Sequence, residues 1–509
     1  MKTIYIIIIT TLFLTVACKE ENLLPEQTPQ TNEEVQFTDA EQKVLLQQRN
    51  EKHQVSMDEA LQLANDVIAF FDGEAAVKSG TARKIGSVTA VRAPKTVSLK
   101  SVDGTDIAMS DTAAYLFNFA DNEGFALISG DTRVETSILG YSDSGTLGDT
   151  LDNVGLAVFL EGAAAYMENS IVEAERLKDS LLNSIAEKLV EANLLPETKV
   201  IPATGNSGEL WMGYNLNILT TYYNWETISH VYPLSKVEWN QGSPYNEHAP
   251  LACAYDGLRG YRAWAGCVAV AVAEILSYHQ YPSSIGGVAL NWSFLNSFTG
   301  RPDAYDAVRG KNQVQKTPLN SNDALFNHQV SILMMIIGAE IGTSYGCSGS
   351  SSNIDKANNF LRSLGYTTGG VCSYNYNTVI ASLNMGRPVI MRGFAHNHDF
   401  NILGARLWST YDGGHDWVID GYLNQKQKVS TNIKLIALLT GLPITSMSPS
   451  ITYNYASYLH INWGYDGDSN GWFVAGCFDI NASYLESETK GGQDGNYQFD
   501  RKIIPHIRH

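Results

Sequence analysis

The stretch AGCVAVAVAEILSYHQYP at residues 265–282 joins a glycine and a cysteine to an apolar run that ends at Pro282. Its apolar residues recur at the spacing of one helix face, which predicts a buried helix that begins at Cys267. At that position free backbone N–H groups and the helix dipole favour a thiolate, and Gly266 lets a peptide backbone come close. A cysteine in an apolar helix is more often a small core residue, so a catalytic interpretation needs partner groups elsewhere in the chain.

His415 is the predicted base for that thiolate. It lies in DGGHDWVIDGY at residues 412–422, at the start of a predicted strand. Gly413 and Gly414 before it allow close approach of a backbone. A thiolate nucleophile needs such a base, and imidazole exchanges a proton near neutral pH.

Two further segments supply the remaining groups. In HINWGY at 460–465, the amide oxygen of Asn462 is predicted to orient His415 by accepting its far ring N–H, while Trp463 shields that bond from water. In VEWNQGSPYN at 237–246, Gln241 is predicted to stabilise an oxyanion together with the backbone N–H of Cys267. Each of these residues alone would be explained more simply as a hydrogen-bonded loop or surface residue.

Together these blocks resemble the streptopain family of papain-like cysteine endopeptidases, which are secreted as zymogens. The blocks that carry the resemblance are WNQ and PYN (239–246), GCVA and YHQYP (266–282), GH and VIDGY (414–422), and NWG (462–464). The resemblance implies that Cys267 is the nucleophile and His415 the base and acid. It assigns Gln241 to the oxyanion and the pair Asn462 and Trp463 to orienting the histidine.

The resemblance also implies an α+β, papain-like fold, with a helical subdomain that carries the cysteine and an antiparallel β subdomain that carries the histidine. An α+β pro-domain is expected to precede it and to inhibit it. A Gly/Ser loop is expected to line the substrate cleft, and the predicted substrate-binding residues are Ser344, Tyr345, Gly346, Ser348, Gly349, Gly413 and Gly414. The expected partners are protein or peptide substrates and the chain's own pro-domain, and we expect a monomer.

Local patterns divide the chain in the same way. A polar segment with two prolines precedes residue 35 and predicts a tether, Ser56 and Glu59 predict a helix capping box, and 114–129 predicts a hairpin. Residues 195–230 are interpreted as an exposed loop that a protease can reach. The expected parts are a lipoprotein signal peptide (1–17), a tether (18–35), an inhibitory pro-domain (36–170), a helical connector and maturation region (171–230), and a catalytic domain (231–509) with an insertion at about 423–457.

Three positions depart from the family pattern. Asp416 follows the histidine where a small residue is common, while Val270 and Glu274 stand where Thr and Gln are common. The Asp416 carboxylate is expected to alter the pKa of His415 or the local cleft. No metal or cofactor is expected, because DGDSNG at 466–471 matches only half of an EF-hand loop and His396 and His398 lack a third ligand.

The N-terminus and the charge balance bear on location and partners. The chain has 509 residues and a net charge of −18 without a basic run, which argues against a nucleic-acid binder. Lys2, an apolar run over residues 4–16 and Ala17-Cys18 resemble a bacterial lipoprotein signal with Cys18 as the lipidated residue. We therefore expect a lipoprotein anchored to the membrane at the outer membrane or cell surface, or a secreted protein if Cys18 is incidental.

The other cysteines leave the redox state open. With Cys18 lipidated and Cys267 free, the remaining four can form two disulfides in three ways: Cys253, Cys347, Cys372 and Cys477. The sequence contains no CxxC pair, so a structural zinc site is not expected.

Two other functions fit part of the pattern. A transglutaminase-like enzyme transfers the acyl group to an amine, but such proteins usually orient the histidine with Asp, and here Asn462 is the matching residue. A catalytically silent adhesin or inhibitor on the same fold is the non-enzymatic alternative. The intact set Cys267, His415, Gln241 and Asn462 argues against that alternative.

Overall fold

A computed structural model of the chain describes most residues after the tether. The described residues are 35–48, 53–73, 76–77, 80–92, 99–101, 104–148, 151, 153–192, 214–255, 258–300, 319–347, 349–395, 399–402, 405–409, 413–437, 443–446, 450–479 and 501–509. The predicted signal peptide, Cys18 and nearly all of the tether lie outside these ranges. Ser348, His396 and His398 also lie outside them.

The N-terminal part combines helices with a sheet, as predicted for a pro-domain. Its first helices are Asp39–Gln48 and Met57–Asp72, and its strands are β1 (Ile85–Arg92), β2 (Leu99–Lys100), β3 (Asp106–Ile107), β4 (Thr112–Phe119), β5 (Phe125–Ser129) and β6 (Ile138–Ser142). The capping box of Ser56 and Glu59 and the hairpin of β4 and β5 are confirmed.

A long helix, Val154–Glu191, follows the sheet and spans 38 residues. The side chain of Asn153 caps its start by accepting the Leu156 N–H at 3.0 Å. Its first half packs on the sheet, and its last turns pack on the Asp39–Gln48 helix in a separate small core. The predicted boundary at residue 170 falls in the middle of this helix, so the chain has no structural break there.

The C-terminal part has the two predicted halves. Its helices are Cys267–His279, Trp292–Leu295, Ser321–Glu340, Ile354–Ser363 and Tyr376–Asn384. Its strands are β7 (Tyr214–Val231), β8 (Leu251–Tyr255), β9 (Leu258–Arg262), β10 (Ser284–Ile285), β11 (Val288–Ala289), β12 (Cys372–Ser373), β13 (Val389–Ala395), β14 (Asp399–Ile402), β15 (Ala405–Ser409), β16 (Gly413–Ala437), β17 (Pro443–Ser446), β18 (Ser450–Asn462), β19 (Gly471–Val474) and β20 (Lys502–Ile504). The first of these helices begins at Cys267 and buries its first eleven residues, as the sequence predicted.

One antiparallel sheet runs through both parts of the chain. Its strand order is β1-β4-β5-β6-β19-β18-β16-β13-β20-β12. The junction is the pairing of β6 with β19, where Tyr141 lies opposite Trp472. On β6, a side chain at Gly140 would meet Phe159 of the long helix, while Tyr141 stacks on Phe71 with ring centroids 4.4 Å apart. The sheet is therefore covered by a different helix on each face.

The loop interpretation of 195–230 is wrong for its second half. Tyr214–Val231 forms β7, which pairs with β16 from Tyr422 to Ala437. The proposed insertion at 423–457 lengthens β16 and β18, which pair from Val418 to Thr431 of β16, while β17 pairs with the far end of β16. Alternating polar and aromatic residues suit a sheet that is exposed on one face, and the polar composition of this segment concealed the strand.

Within the described residues, no helix combines the length and the apolar character that crossing a membrane requires. The cysteines do not form the two disulfides considered above, because Cys372 and Cys477 are free thiols while Cys347 is disulfide-bonded.

Candidate active site

Cys267 is the first residue of its helix, and the residue is 8% exposed. Gly266 before it has φ 98°, a conformation that favours glycine. The sulfur accepts hydrogen bonds from the backbone N–H groups of Asp416 and Val268. Burial and, to a smaller extent, the Asp416 carboxylate nevertheless raise the pKa of Cys267 to about 12. The predicted thiolate is therefore not favoured in this state, because burial outweighs the helix start.

His415 is 2% exposed and lies at the start of β16. Its Nε2–H donates to the carbonyl oxygen of Trp463 at 2.7 Å, since a carbonyl can only accept. Nδ1 then carries the lone pair of the neutral ring. Burial, opposed by the Trp463 hydrogen bond and assisted by the nearby Arg392 guanidinium, lowers the pKa of His415 to about 4, so the neutral form is favoured.

The cysteine and the histidine lie on different faces of β16. His415 is opposite Gly393 and Asp416 is opposite Arg392 in the pairing with β13, so their side chains point to opposite sides. Asp416 faces the Cys267 helix, whereas His415 faces the long helix. No hydrogen bond joins Cys267 to His415 in this part of the structure, so the predicted pair is not assembled.

The first turn of the long helix lies directly against the histidine. A methyl group built on Gly155 would lie 2.7 Å from Cδ2 of His415 and 2.4 Å from Cε3 of Trp463. Real side chains do not come this close, so only glycine fits at this contact. The N-terminal part of the chain thus occupies the space behind His415.

The predicted contact between Asn462 and His415 is replaced by another. The backbone carbonyl of Trp463, and not the amide of Asn462, accepts the histidine N–H. The Asn462 amide oxygen instead accepts from Gly464 N and Asn470 Nδ2, at 3.2 and 3.3 Å. Asn462 fixes the turn that presents the carbonyl, and Trp463 is fully buried beside it. A backbone acceptor leaves no trace in the residue pattern, which is why the sequence did not reveal it.

Gln241 lies close to the cysteine segment. Its carbonyl oxygen accepts the N–H of Ala265 at 2.9 Å, two residues before Cys267. Its own N–H donates to Asn240 Oδ1 at 2.6 Å. The backbone of Gln241 is thereby fixed beside the start of the cysteine helix.

The predicted substrate loop also borders the cysteine segment. Ser344 and Ser351 form an isolated bridge, and Ser350 Oγ donates to the Trp264 carbonyl at 2.7 Å. Trp264 N donates back to the Gly346 carbonyl at 3.3 Å. The described part of the loop, which includes Ser344, Tyr345, Gly346 and Gly349, therefore packs against the residues that lead into Cys267. The other two predicted substrate-binding residues, Gly413 and Gly414, lie at the start of β16 next to His415. Val154 of the long helix approaches Gly413 there.

A buried ion pair lies beside the thiol. Arg392 Nε donates to Asp416 Oδ1 at 2.5 Å, and Arg392 Nη2 donates to the Ser352 carbonyl at 2.7 Å. Burial raises the pKa of Asp416 to about 6, against the opposing effect of Arg392. The expected influence of Asp416 on His415 falls on Cys267 instead, because the carboxylate lies on the cysteine side of the strand.

Sequence reasoning missed Arg392 and Gly155 entirely. Arg392 carries no signal, because its place opposite Asp416 depends on strand register. Gly155 lies in an ordinary small-residue helix segment.

Among the described residues, no three histidine, cysteine or carboxylate side chains are grouped so that they could hold a metal ion.

Two family profiles match the chain. Residues 239–473 match the peptidase C10 family, and residues 52–167 match the Spi protease inhibitor. Streptopain from Streptococcus pyogenes serotype M1 is 23% identical over 452 residues, which cover 85% of this chain and 88% of that protein. The thiol protease/hemagglutinin PrtT of Porphyromonas gingivalis is 22% identical over 396 residues, covering 77% of this chain and 36% of that protein. A fragment of Prevotella intermedia prointerpain A aligns with a TM-score of 0.41 and 17% identity, over 83% of this chain and 99% of that one.

Proposed function

The chain belongs to the peptidase C10 family and is a cysteine-type peptidase; on that premise we propose that Cys267 is its nucleophile and His415 its base and acid. The Cys267 sulfur attacks the scissile carbonyl carbon, and its proton passes to His415. Gln241 and the N–H of Cys267 stabilise the oxyanion. His415 then protonates the leaving amine, and water hydrolyses the acyl-enzyme.

One observation carries this assignment. The Gln241 carbonyl, the loop at 344–351 and the backbone of Asp416 all contact the cysteine or the three residues before it. The segment that contains His415 is therefore adjacent to the nucleophile, although the imidazole itself points away. Completing the pair requires the backbone at the start of β16 to turn, because a change of side-chain rotamer alone cannot bring His415 to the other face of the strand.

The N-terminal part is an inhibitory pro-domain, and the proposal extends to how it acts. The Gly155 turn supports His415 on the far face of β16, so removal of the long helix would free the imidazole to reach Cys267. The pairing of β6 with β19 holds the two parts together until cleavage. We assign inhibition to 36–170, maturation to 171–230 and catalysis to 231–509.

The proposal also includes export and anchoring. The sequence at residues 1–18 supports a lipid on Cys18 and a location outside the cytoplasm, on the outer membrane or cell surface. Incorporation of a labelled fatty acid tests the anchor: the wild type should be labelled and Cys18→Ser should not. Labelling of both proteins, or of neither, would contradict lipidation at Cys18.

The catalytic assignment is tested by incubating purified protein and following cleavage by mass spectrometry. Cys267→Ala should abolish peptide cleavage and self-maturation without loss of the folded state. Cys372→Ala is the matched control, because Cys372 is also a free thiol but lies on the edge strand β12. If Cys267→Ala still cleaved peptides, the nucleophile would be another residue.

A further inference from the structure

Glu274 is a carboxyl group that the proposed reaction does not use. It lies seven residues after Cys267, two turns along the same helix, and is 1% exposed. A carboxyl group is rarely placed in an apolar interior without partners. Its contacts therefore indicate what it does.

One oxygen of Glu274 contacts two segments that approach the helix. Oε1 accepts the backbone N–H of Trp239 at 3.2 Å and the side-chain N–H of Asn462 at 3.1 Å. Asn462 also donates to the Val237 carbonyl at 2.8 Å, so Glu274, Asn462 and the 237–241 segment are each bonded to the other two. A single side chain thus joins the cysteine helix, the 237–241 segment and the 462–464 turn.

Each joined segment carries a proposed catalytic group. The helix begins with Cys267. The 237–241 segment ends with Gln241, two residues after Trp239. The turn presents the Trp463 carbonyl that binds His415.

The surroundings of Glu274 favour its neutral acid form. Burial raises its pKa well above the usual range, and the neighbouring acidic groups, Asp420 on β16 and Glu238 before Trp239, act in the same direction. Its second oxygen, Oε2, is buried with no hydrogen-bond partner in the described structure. A protonated carboxyl with one accepting oxygen has the hydrogen-bonding character of a glutamine amide.

We propose that Glu274 is a positioning residue of the peptidase, which holds in register the three segments that carry Cys267, Gln241 and the His415 acceptor. The inference rests on the proposed function of those residues. Displacing catalytic groups by about 1 Å costs on the order of a hundredfold in rate. Loss of Glu274 should therefore lower kcat more than it raises KM.

The test compares matured Glu274→Ala and Glu274→Gln with Ser277→Ala. Ser277 is a buried polar residue on the same helix, but its hydroxyl bonds Asn296, away from the site. We expect Glu274→Ala to lose at least about tenfold in kcat with KM changed less than about threefold. Glu274→Gln should restore most of that kcat, and Ser277→Ala should leave it unchanged.

A pH profile provides a readout that general destabilisation would not move. Wild-type kcat should fall as rising pH ionises Glu274 in its buried site, and Glu274→Gln should lack that loss. This comparison of the wild type with Glu274→Gln can be made even if Glu274→Ala does not fold. Wild-type kcat in Glu274→Ala, or the same loss of kcat with rising pH in Glu274→Gln as in the wild type, would overturn the inference. Activity in Cys267→Ala would instead overturn the proposed function, so the two failures are distinguishable.

Discussion

His415 and Asp416 are consecutive residues of β16 whose side chains lie on opposite faces of the sheet. His415 donates to the Trp463 carbonyl on the face covered by the long helix, while the Asp416 backbone donates to the Cys267 sulfur on the other face. His415 is thus one residue along the chain from Asp416, which contacts Cys267, but its side chain lies on the opposite face of the strand. Latency in this arrangement depends on which face His415 occupies.

Gly155→Ala should weaken latency. The added methyl would overlap Trp463 and His415, and overpacking of this kind typically costs about 1–3 kcal/mol. The cost falls on the latent form alone, so the variant should mature faster than the wild type, as followed by gel and intact mass. Gly148→Ala is the control, since a methyl there meets open space. Equal maturation rates for all three proteins would contradict the role assigned to this contact.

Asp416→Asn should make Cys267 more reactive. The Asp416 carboxylate helps to raise the pKa of the thiol, so removing its charge shifts that pKa downward, and the freed Arg392 acts in the same direction. The rate of alkylation of matured enzyme should therefore rise at a lower pH than in the wild type. Arg392→Gln removes the opposing charge and should shift the profile the other way. Identical profiles for Asp416→Asn and the wild type would show that the ion pair does not affect the thiol.

The sequence predicted the parts of the site that depend on residue type. The Cys267 helix and the strand that carries His415 follow from local patterns with strong physical causes, whereas the approach of the Gln241 segment was predicted only from the motifs taken together. The acceptor for His415 did not, because a backbone carbonyl has no residue signature. The face on which His415 lies also could not be read, since it is determined by packing against Gly155, more than 250 residues away in the chain.

The stability of the latent chain should fall at alkaline pH because of His460. This residue lies 2.7 Å from Asp420 and 3.6 Å from Asp143 of the pro-domain, and despite its burial these carboxylates raise its pKa to about 9. A raised folded-state pKa stabilises below the unfolded value of about 6.5, and the stabilisation is lost as pH rises through about 9. The loss is on the order of 3 kcal/mol.

Thermal unfolding of the Cys267→Ala chain between pH 6 and pH 10 provides the measurement, since this background does not process itself. Asp420→Asn should be less stable at pH 7 and should lose little more stability up to pH 10. Asp143→Asn should show a smaller effect in the same direction, because its contact is longer and its carboxylate is 42% exposed. A flat profile in the parent chain would contradict the charged state of His460.

The mature enzyme should retain β7. This strand pairs with β16 from Tyr422 to Ala437, along the same edge on which β13 covers the start of β16. If maturation removed β7, it would leave a long unpaired edge on β16, and such edges promote aggregation. The chain of the matured protein should therefore begin at or before Tyr214, as read by intact mass and N-terminal sequencing. A soluble mature enzyme that begins after Val231, with no 214–231 peptide bound to it, would show that β7 belongs to the discarded part and that another element protects the edge of β16.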